Sequence, residues 1–249
     1  RPRGRAAAAL ALYAIALAVF FGGPLLALTI EAFTVRRGMG GAGVPGIGNF
    51  LRLFAGAELP RALADTAATA VPAALLALAA GSLAAAGLRR GGRIGSCVLS
   101  LPLAVSGIVA SLGWSLLFPS GGDALIVPVL AIAALPFVVK SLAGALATLD
   151  PSPPLAARIL GAGALRATLE IELPAIAPSL LAGGAFAFAM AAGDLNAPIV
   201  LGRGDFEPLP LLLYRLASGY RFSEACAAGL FLGLLTAIVF FLKEGRSDA

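Results

Sequence analysis

Long apolar runs are the feature that most constrains what this chain can fold into. A helix needs about 20 consecutive apolar residues to cross the ~30 Å hydrocarbon core of a bilayer. Six runs of the 249-residue sequence reach that length, and we place them at 6–30, 62–88, 94–118, 122–147, 175–201 and 222–242. The sequence therefore predicts an all-α membrane protein with six transmembrane helices, because helices satisfy their own backbone hydrogen bonds in lipid.

The composition agrees with a membrane protein and excludes several classes of site. Hydrophobic residues make up 59% of the chain and charged residues 12%, against about 25% charged residues in a soluble domain. Histidine is absent, and the two cysteines, Cys97 and Cys226, both fall inside predicted spans. A disulfide framework or a Cys/His zinc site is therefore not expected, and function must lie in the loops and the span interiors.

The start of the sequence also carries information. The first apolar run is too long for a cleaved signal peptide and has no small-x-small cleavage site. The sequence begins at Arg1 rather than at Met. We interpret it as a processed form or as one part of a longer polypeptide.

The basic residues predict the orientation in the membrane. With the N-terminus inside, eleven fall on the cytoplasmic side: Arg1, Arg3, Arg5, Arg89, Arg90, Arg93, Lys140, Arg158, Arg166, Lys243 and Arg246. Seven fall outside: Arg36, Arg37, Arg52, Arg61, Arg203, Arg215 and Arg221. The positive-inside rule then places both termini in the cytoplasm and the 202–220 loop outside. Because the basic residues lie at span ends rather than in one stripe, we expect no nucleic-acid partner despite the net charge of +5.

The segment 148–174, between the fourth and fifth spans, is a polar interruption on the predicted cytoplasmic side. Ser152 followed by Pro153 predicts a helix start, since a serine side chain can cap free amides and proline suits the first turn. Gly161 or Gly163 can end that short helix. A second short helix is predicted at about 164–170, where Arg166 and Glu170 are four residues apart and can pair.

The first of these helices is predicted to present an apolar surface to the cytoplasm. Leu155, Ile159 and Leu160 fall on one face. An apolar protrusion on an otherwise polar loop indicates a surface that a partner covers. Pro174 and Pro178 then return the chain to the membrane.

The spacing in this loop resembles that of ABC importer permeases, whose cytoplasmic loop has the pattern E-A-A, three residues, G, nine residues, I-x-L-P. Six positions of this sequence match: Ala156, Ala157, Gly161, Ile171, Leu173 and Pro174. Leu155 stands where the family usually has Glu, which together with Ser152 would have completed a capping box. The stretch "GRGDFEPLPLLLYRLASGY" is similar to a loop of the branch that includes thiamine and ferric-iron permeases.

The resemblance implies a type I, binding-protein-dependent importer of the bacterial inner membrane. This chain would be the transport subunit and not an enzyme, forming half of a solute pathway with a second core that is identical, paralogous or fused. Its partners would be two ABC ATPase subunits and an external solute-binding protein. ATP and Mg would be bound by the ATPase, and no cofactor is expected in this chain. The ATPase-coupling residues would be Ser152, Leu155, Ala156, Ala157, Arg158, Gly161, Ile171, Leu173 and Pro174.

A few polar residues inside spans are candidates for the solute pathway. Asp194 and Asn196 fall near the end of span five, where an ionisable group is a functional candidate, although both could instead be solvated at the outer surface. Ser106 and Ser111 could face the pathway or bond to their own helix backbone. Trp114 is predicted to be an interfacial anchor, with a substrate platform as the alternative.

Two other classes of function are alternatives to transport. An intramembrane serine protease or metalloprotease would need His, which the sequence lacks. An intramembrane aspartyl protease would need G-x-G-D, and the run ending in Gly193 and Asp194 has Ala191 in place of the first Gly. A membrane scaffold without transport activity is the remaining alternative, and co-purification with an ATPase would distinguish it from a permease.

Overall fold

The computed structural model describes residues 4–36, 43–88, 93–150 and 152–247. Helices make up most of these residues, and the all-α membrane class predicted from the sequence is confirmed. Five of the arginines used to predict the orientation lie outside the described residues: Arg1, Arg3, Arg37, Arg89 and Arg90.

The N-terminal span is one continuous run of helix. Helix α1 (Gly4–Leu17) passes through a π-helical segment (Ala18–Gly22) into α2 (Gly23–Ala32). Its large apolar side chains, such as Phe20 and Phe21, are exposed. A helix that is apolar on every side and not buried in protein fits a lipid environment.

A short polar region follows the first span. Strand β1 (Thr34–Val35) pairs antiparallel with β2 (Val44–Pro45), and helix α3 (Gly48–Ala55) follows. Residues 50–54 of α3 form an amphipathic stretch. The second span is α4 (Glu58–Leu88), which continues through Pro72.

The third predicted span is broken rather than straight. It consists of α5 (Arg93–Ser100), a 3-10 segment (Leu101–Ala104) and α6 (Gly107–Leu117), with a bend of 100° at the break. Pro102 lies in the 3-10 segment and has no amide hydrogen to donate. Val105 and Ser106 adopt extended backbone angles, so the chain bends sharply just after Pro102, inside the span placed at 94–118.

The fourth predicted span and the loop that follows it are both largely helical. A 3-10 segment (Gly122–Leu125) leads into α7 (Ile126–Thr148). The 148–174 loop then forms the short helices α8 (Ser152–Ile159) and α9 (Ala164–Ala167), a π-helical segment (Thr168–Glu172) and α10 (Leu173–Ala175).

The fifth predicted span is also interrupted. Helix α11 (Ala177–Ala192) ends 16 residues after it begins, and α12 (Asn196–Leu201) is separate. Helices α13 (Leu209–Ser218) and α14 (Phe222–Ser247) complete the described chain. Within the described residues, four helices are individually long and apolar enough to span a membrane, and the broken pair would be a fifth. The count of six spans stays a prediction.

The chain divides into two compact units, which we describe separately. The first contains residues 1–60 and 212–233. In it, the ring of Phe50 packs against that of Phe231 with centroids 6.0 Å apart. The buried Asn49 side chain donates to the carbonyls of Ala32 (2.8 Å) and Thr34 (3.0 Å), which fixes α3 against the end of α2.

The second unit contains residues 61–211 and 234–249. Its core is built on small residues that let helices approach closely. A Cβ atom added at Gly81 of α4 would lie 2.5 Å from the Val138 Cγ1 of α7, and one at Gly184 of α11 would lie 2.8 Å from the Leu78 Cδ1 of α4. Such contacts supply the dispersion energy that holds helices together in lipid.

Candidate functional site

The 148–174 loop begins with a hydrogen bond that the sequence analysis did not assign. The Asp150 carboxylate accepts a hydrogen bond from the Ser152 backbone N–H at 2.9 Å. Hydrogen bonds from the Ser152 amide and hydroxyl hold the pKa of Asp150 below its ordinary value, since each favours the charged form. Asp150 therefore satisfies the amide of Ser152, the first residue of α8, and capping by the Ser152 side chain stays a prediction.

The end of α8 is a complete Schellman motif centred on Gly161. The Ala162 N–H donates to the Ala157 carbonyl at 2.9 Å, and the Gly161 N–H donates to the Arg158 carbonyl at 3.1 Å. Gly161 has φ +93, and no atom lies within 4 Å of where its Cβ would be. Glycine is needed here because the chain turns through a left-handed conformation.

The apolar face of α8 is open. Ile159 is 85% exposed, Leu160 87% and Leu155 53%. Arg158 is also exposed, Ala156 is exposed and Ala157 is half-buried. An exposed apolar pair next to a tightly capped helix end is an ordered surface that a partner can cover.

The remainder of the loop is a second short helical stretch. The Arg166 Nε and the Glu170 carboxylate form the predicted pair at 2.9 Å. Helix α9 continues as the π-helical segment to Glu172, two residues beyond the predicted end. Ile171 is half-buried, whereas Leu173 and Pro174 are exposed.

A cavity of about 550 Å³ lies beside the break in the third span. The residues that line it include Val98 of α5, Leu101, Pro102 and Val105 at the break, Gly107, Ala110, Ser111 and Trp114 of α6, Val129, Leu130 and Phe137 of α7, Met190 of α11, Asp194, and Asn196 of α12. Three of the four predicted pathway residues, Ser111, Asp194 and Asn196, are thus brought together.

Asp194 has local hydrogen bonds as well as a place in this cavity. Its Oδ1 accepts from the Asn196 Nδ2 at 2.9 Å, and its Oδ2 accepts from the Ala197 N–H at 2.8 Å. The carboxylate therefore caps α12 while it stays half-buried. It is the one charged side chain among the described residues that line the cavity.

The structure places the other residues considered for the solute pathway in different surroundings. The buried Ser111 hydroxyl donates to the Gly107 carbonyl at 2.8 Å, which is the local alternative raised from the sequence. Ser106 is exposed and does not line the cavity within the described part of the chain, so the structure does not bring it together with the other three. Trp114 lies in the cavity wall, stacked on Phe118 with ring centroids 5.6 Å apart.

The first unit also contains an ionic cluster that was not predicted from the sequence. Arg52 Nη1 lies 2.9 Å from Glu224 Oε1, and Arg221 bridges Glu224 and Glu58. Burial lowers the pKa of Arg221, but its hydrogen bonds to Glu58 and Glu224 outweigh this and raise it overall. The three-residue spacing of Arg221 and Glu224 is the sequence pattern that could have indicated their ion pair.

This cluster borders a cleft of about 570 Å³ that is lined by Glu31, Arg36, Asn49, Arg52 and residues 219–224. The Ser223 hydroxyl donates to Glu31 Oε1 at 2.7 Å, and Arg36 pairs with the same carboxylate at 2.8 Å. Arg215 also contacts Glu58 at 3.3 Å, so among the described residues these ion pairs join four arginines to three glutamates.

The fold is that of an ABC importer permease. One chain of a bacterial ABC transporter involved in the import of the acidic polysaccharide alginate superimposes with a TM-score of 0.73 and 17% sequence identity. The match covers 97% of this chain and 94% of that one. No family model matches the sequence.

Curated relatives agree with this class. The thiamine transport system permease protein ThiP of Escherichia coli is 28% identical over 150 residues, which cover 58% of this chain and 28% of that protein. ThiP of Brucella suis is 28% identical over 232 residues, covering 88% of this chain and 43% of that protein. The chain thus spans less than half the length of these relatives, and it resembles permease proteins in both sequence and fold.

Proposed function

We propose that this chain is a permease subunit of an ATP-driven importer in the bacterial cytoplasmic membrane. It forms half of a solute pathway and binds an ATPase through residues 152–174. The importer-permease fold supports this role. The loop supports it too, because it matches the family spacing at six positions.

The assembly that this role requires contains several other components. A second core, identical, paralogous or fused, completes the pathway, and an external binding protein delivers the solute. Two ATPase subunits bind ATP and Mg, because this sequence contains no G-x-x-x-x-G-K-[ST] motif. Nucleotide-driven closure of the ATPases would move the loops and shift the core between two states.

Thiamine and ferric iron are the proposed solutes, from the branch that the sequence resembles. The curated thiamine permeases give the first of these additional support. Thiamine is therefore the solute to test first in a transport assay.

The observation that carries the proposal is the exposed, firmly capped end of α8. Ile159 and Leu160 are more than four-fifths exposed, although burying a side chain of this size is worth about 1.5 to 3 kcal/mol. The Schellman motif at Gly161 fixes the backbone that carries these two side chains. A rigid apolar surface next to the membrane is suited to dock in a cleft of the ATPase.

Two glycines provide a matched experiment for this proposal. Gly161 (φ +93) and Gly204 (φ +63) both have positive φ, and at neither position would an added Cβ meet another atom within 4 Å. Valine at either position costs about 1 to 3 kcal/mol of backbone strain, but only Gly161 lies in the proposed docking loop. Gly161→Val should sharply reduce co-purification of the partner ATPase with the full-length permease, whereas Gly204→Val should not.

A second variant tests the same surface without changing the backbone. Leu160→Asp replaces an exposed side chain, so insertion in the membrane should be normal while ATPase association falls. Normal association of both Gly161→Val and Leu160→Asp would show that the loop is not the docking element.

A further inference from the structure

The proposed docking of the ATPase does not involve the cavity at the break in the third span. Its walls are mostly apolar and include Trp114, Phe137 and Met190. Its volume of about 550 Å³ falls in the range of small-molecule sites, about 300 to 1,000 Å³. Its one charged side chain among the described lining residues is the Asp194 carboxylate.

Asp194 is held in a fixed position, and its charge is not neutralised by the groups that hold it. The Asn196 amide and the Ala197 N–H each donate one hydrogen bond to it, and both of these donors are neutral. Each carboxylate oxygen has a second lone pair available. No Lys or Arg is among the described residues that line the cavity, so the carboxylate leaves a net negative charge there.

The apolar surroundings make the electrostatic interactions of the Asp194 carboxylate stronger than they would be at an open surface. Apolar walls lower the effective dielectric constant, which strengthens attraction to a cation and repulsion of an anion. An aromatic face adds a further attraction for a cation within about 6 Å. Breaks in membrane helices are also where transporters commonly place solute sites, because backbone groups are freed there.

We propose that this cavity is a solute-contact site of the permease, and that it takes an organic cation with a flat apolar body and one positive charge. The inference rests on the proposed transport function, because it specifies the solute that the pathway admits. One carboxylate balances one positive charge, and the apolar and aromatic walls contact the rest of the molecule. A solute with net negative charge is repelled by Asp194.

Direct binding to the permease tests this site apart from transport. The full-length permease is purified without its ATPase or binding protein, and thiamine, a singly charged aromatic cation, is the probe. Equilibrium dialysis measures the affinity. Emission of Trp114, taken as the difference between the full-length permease and its Trp114→Phe variant, reports whether the probe reaches the cavity. Thiamine should bind saturably and change this emission, and thiamine diphosphate, which has net negative charge, should bind more weakly.

Two variants and one matched control make the test specific. Asp194→Asn keeps an acceptor for the Ala197 N–H but removes the charge, and should weaken thiamine binding by about tenfold or more. Asp205→Asn removes a carboxylate that is 86% exposed and paired with Arg61 at 3.2 Å, and should leave the affinity unchanged. Ala110→Leu adds three carbon atoms to the cavity wall. It should reduce thiamine binding by filling space, although the charge of Asp194 is unchanged.

The outcomes separate this inference from the proposed function. Absence of saturable thiamine binding, or unchanged affinity in Asp194→Asn and Ala110→Leu, overturns the cavity as a cation site. If the reconstituted complex still took up thiamine in an ATP-driven manner, the proposed permease function would be retained. Binding that depends on Asp194, together with failure of the permease to associate with any ATPase, would support the site and refute the coupled transport role.

Discussion

Arg52 Nη1 lies 2.9 Å from Glu224 Oε1, although 172 residues separate them in the sequence. The Glu224 side chain is 8% exposed and also accepts a hydrogen bond from Arg221. A nearly buried carboxylate with two guanidinium partners is costly to neutralise, because Arg52 then loses its counter-charge and Arg221 keeps, among the described residues, only its contact with Glu58. This contact joins the start of α14 to the polar segment that follows the first span.

We therefore expect Glu224→Gln to destabilise the protein by about 1 to 3 kcal/mol. Thermal unfolding of the purified protein in detergent should show a midpoint lowered by about 2 to 12 °C. Arg36→Gln is the control, because Arg36 and Glu31 are 49% and 27% exposed and such a pair is worth less than about 1 kcal/mol. Equal effects of the two substitutions would contradict the importance of burial here.

Helix packing gives a second prediction. A methyl group at Gly81 would lie 2.5 Å from Val138 Cγ1, and Val138 is fully buried with a stiff side chain. Gly81→Ala should therefore force the two helices apart and cost about 1 to 3 kcal/mol. Gly144→Ala, on an exposed part of α7 with no neighbour within 4 Å, should instead stabilise by about 0.5 to 1 kcal/mol. The two melting temperatures should move in opposite directions.

The features that the sequence predicted correctly are local ones. An apolar run of about 25 residues, such as 122–147, needs only its own composition to indicate a helix in lipid. The end of α8 was also predictable, since a glycine after one or two helical turns favours a left-handed cap. The structure gives Gly161 its positive φ and the Arg166–Glu170 pair its predicted contact.

The features that the sequence missed depend on long-range packing. Pro102 marked a weak point in the third span, but the 100° bend depends on how neighbouring helices satisfy the freed backbone. The Asn196 side chain packs against Gly107. A Cβ atom added at Gly107 would lie 2.9 Å from the Asn196 Nδ2. That contact helps to bring Asp194 and Trp114 into the lining of one cavity, and no local sequence pattern indicates it. The contact between Arg52 and Glu224 is likewise not indicated by any local sequence pattern.

The start of α8 predicts a dependence on pH. Because hydrogen bonds from Ser152 hold the pKa of Asp150 below its ordinary value, the contribution of this carboxylate to stability is present above the unfolded pKa. It is lost as the pH falls through the folded pKa. Hydrogen exchange of the amides of α8, corrected for intrinsic rates, should therefore accelerate in that acidic range. Asp150→Ala should show fast exchange already at neutral pH and no further acceleration there.

The orientation in the membrane gives the last prediction. The excess of basic residues places the 202–220 loop outside and the 148–174 loop inside. Ser218 and Ser152 are both exposed, so cysteine at either position can react with a maleimide. After Cys97 and Cys226 are replaced by Ala, a membrane-impermeant maleimide should label Ser218→Cys in intact cells. It should label Ser152→Cys only after permeabilisation, because the membrane then no longer separates the reagent from the loop. The opposite pattern would invert the predicted orientation and place the exposed Ile159 and Leu160 on the side of the membrane where no ATPase is available.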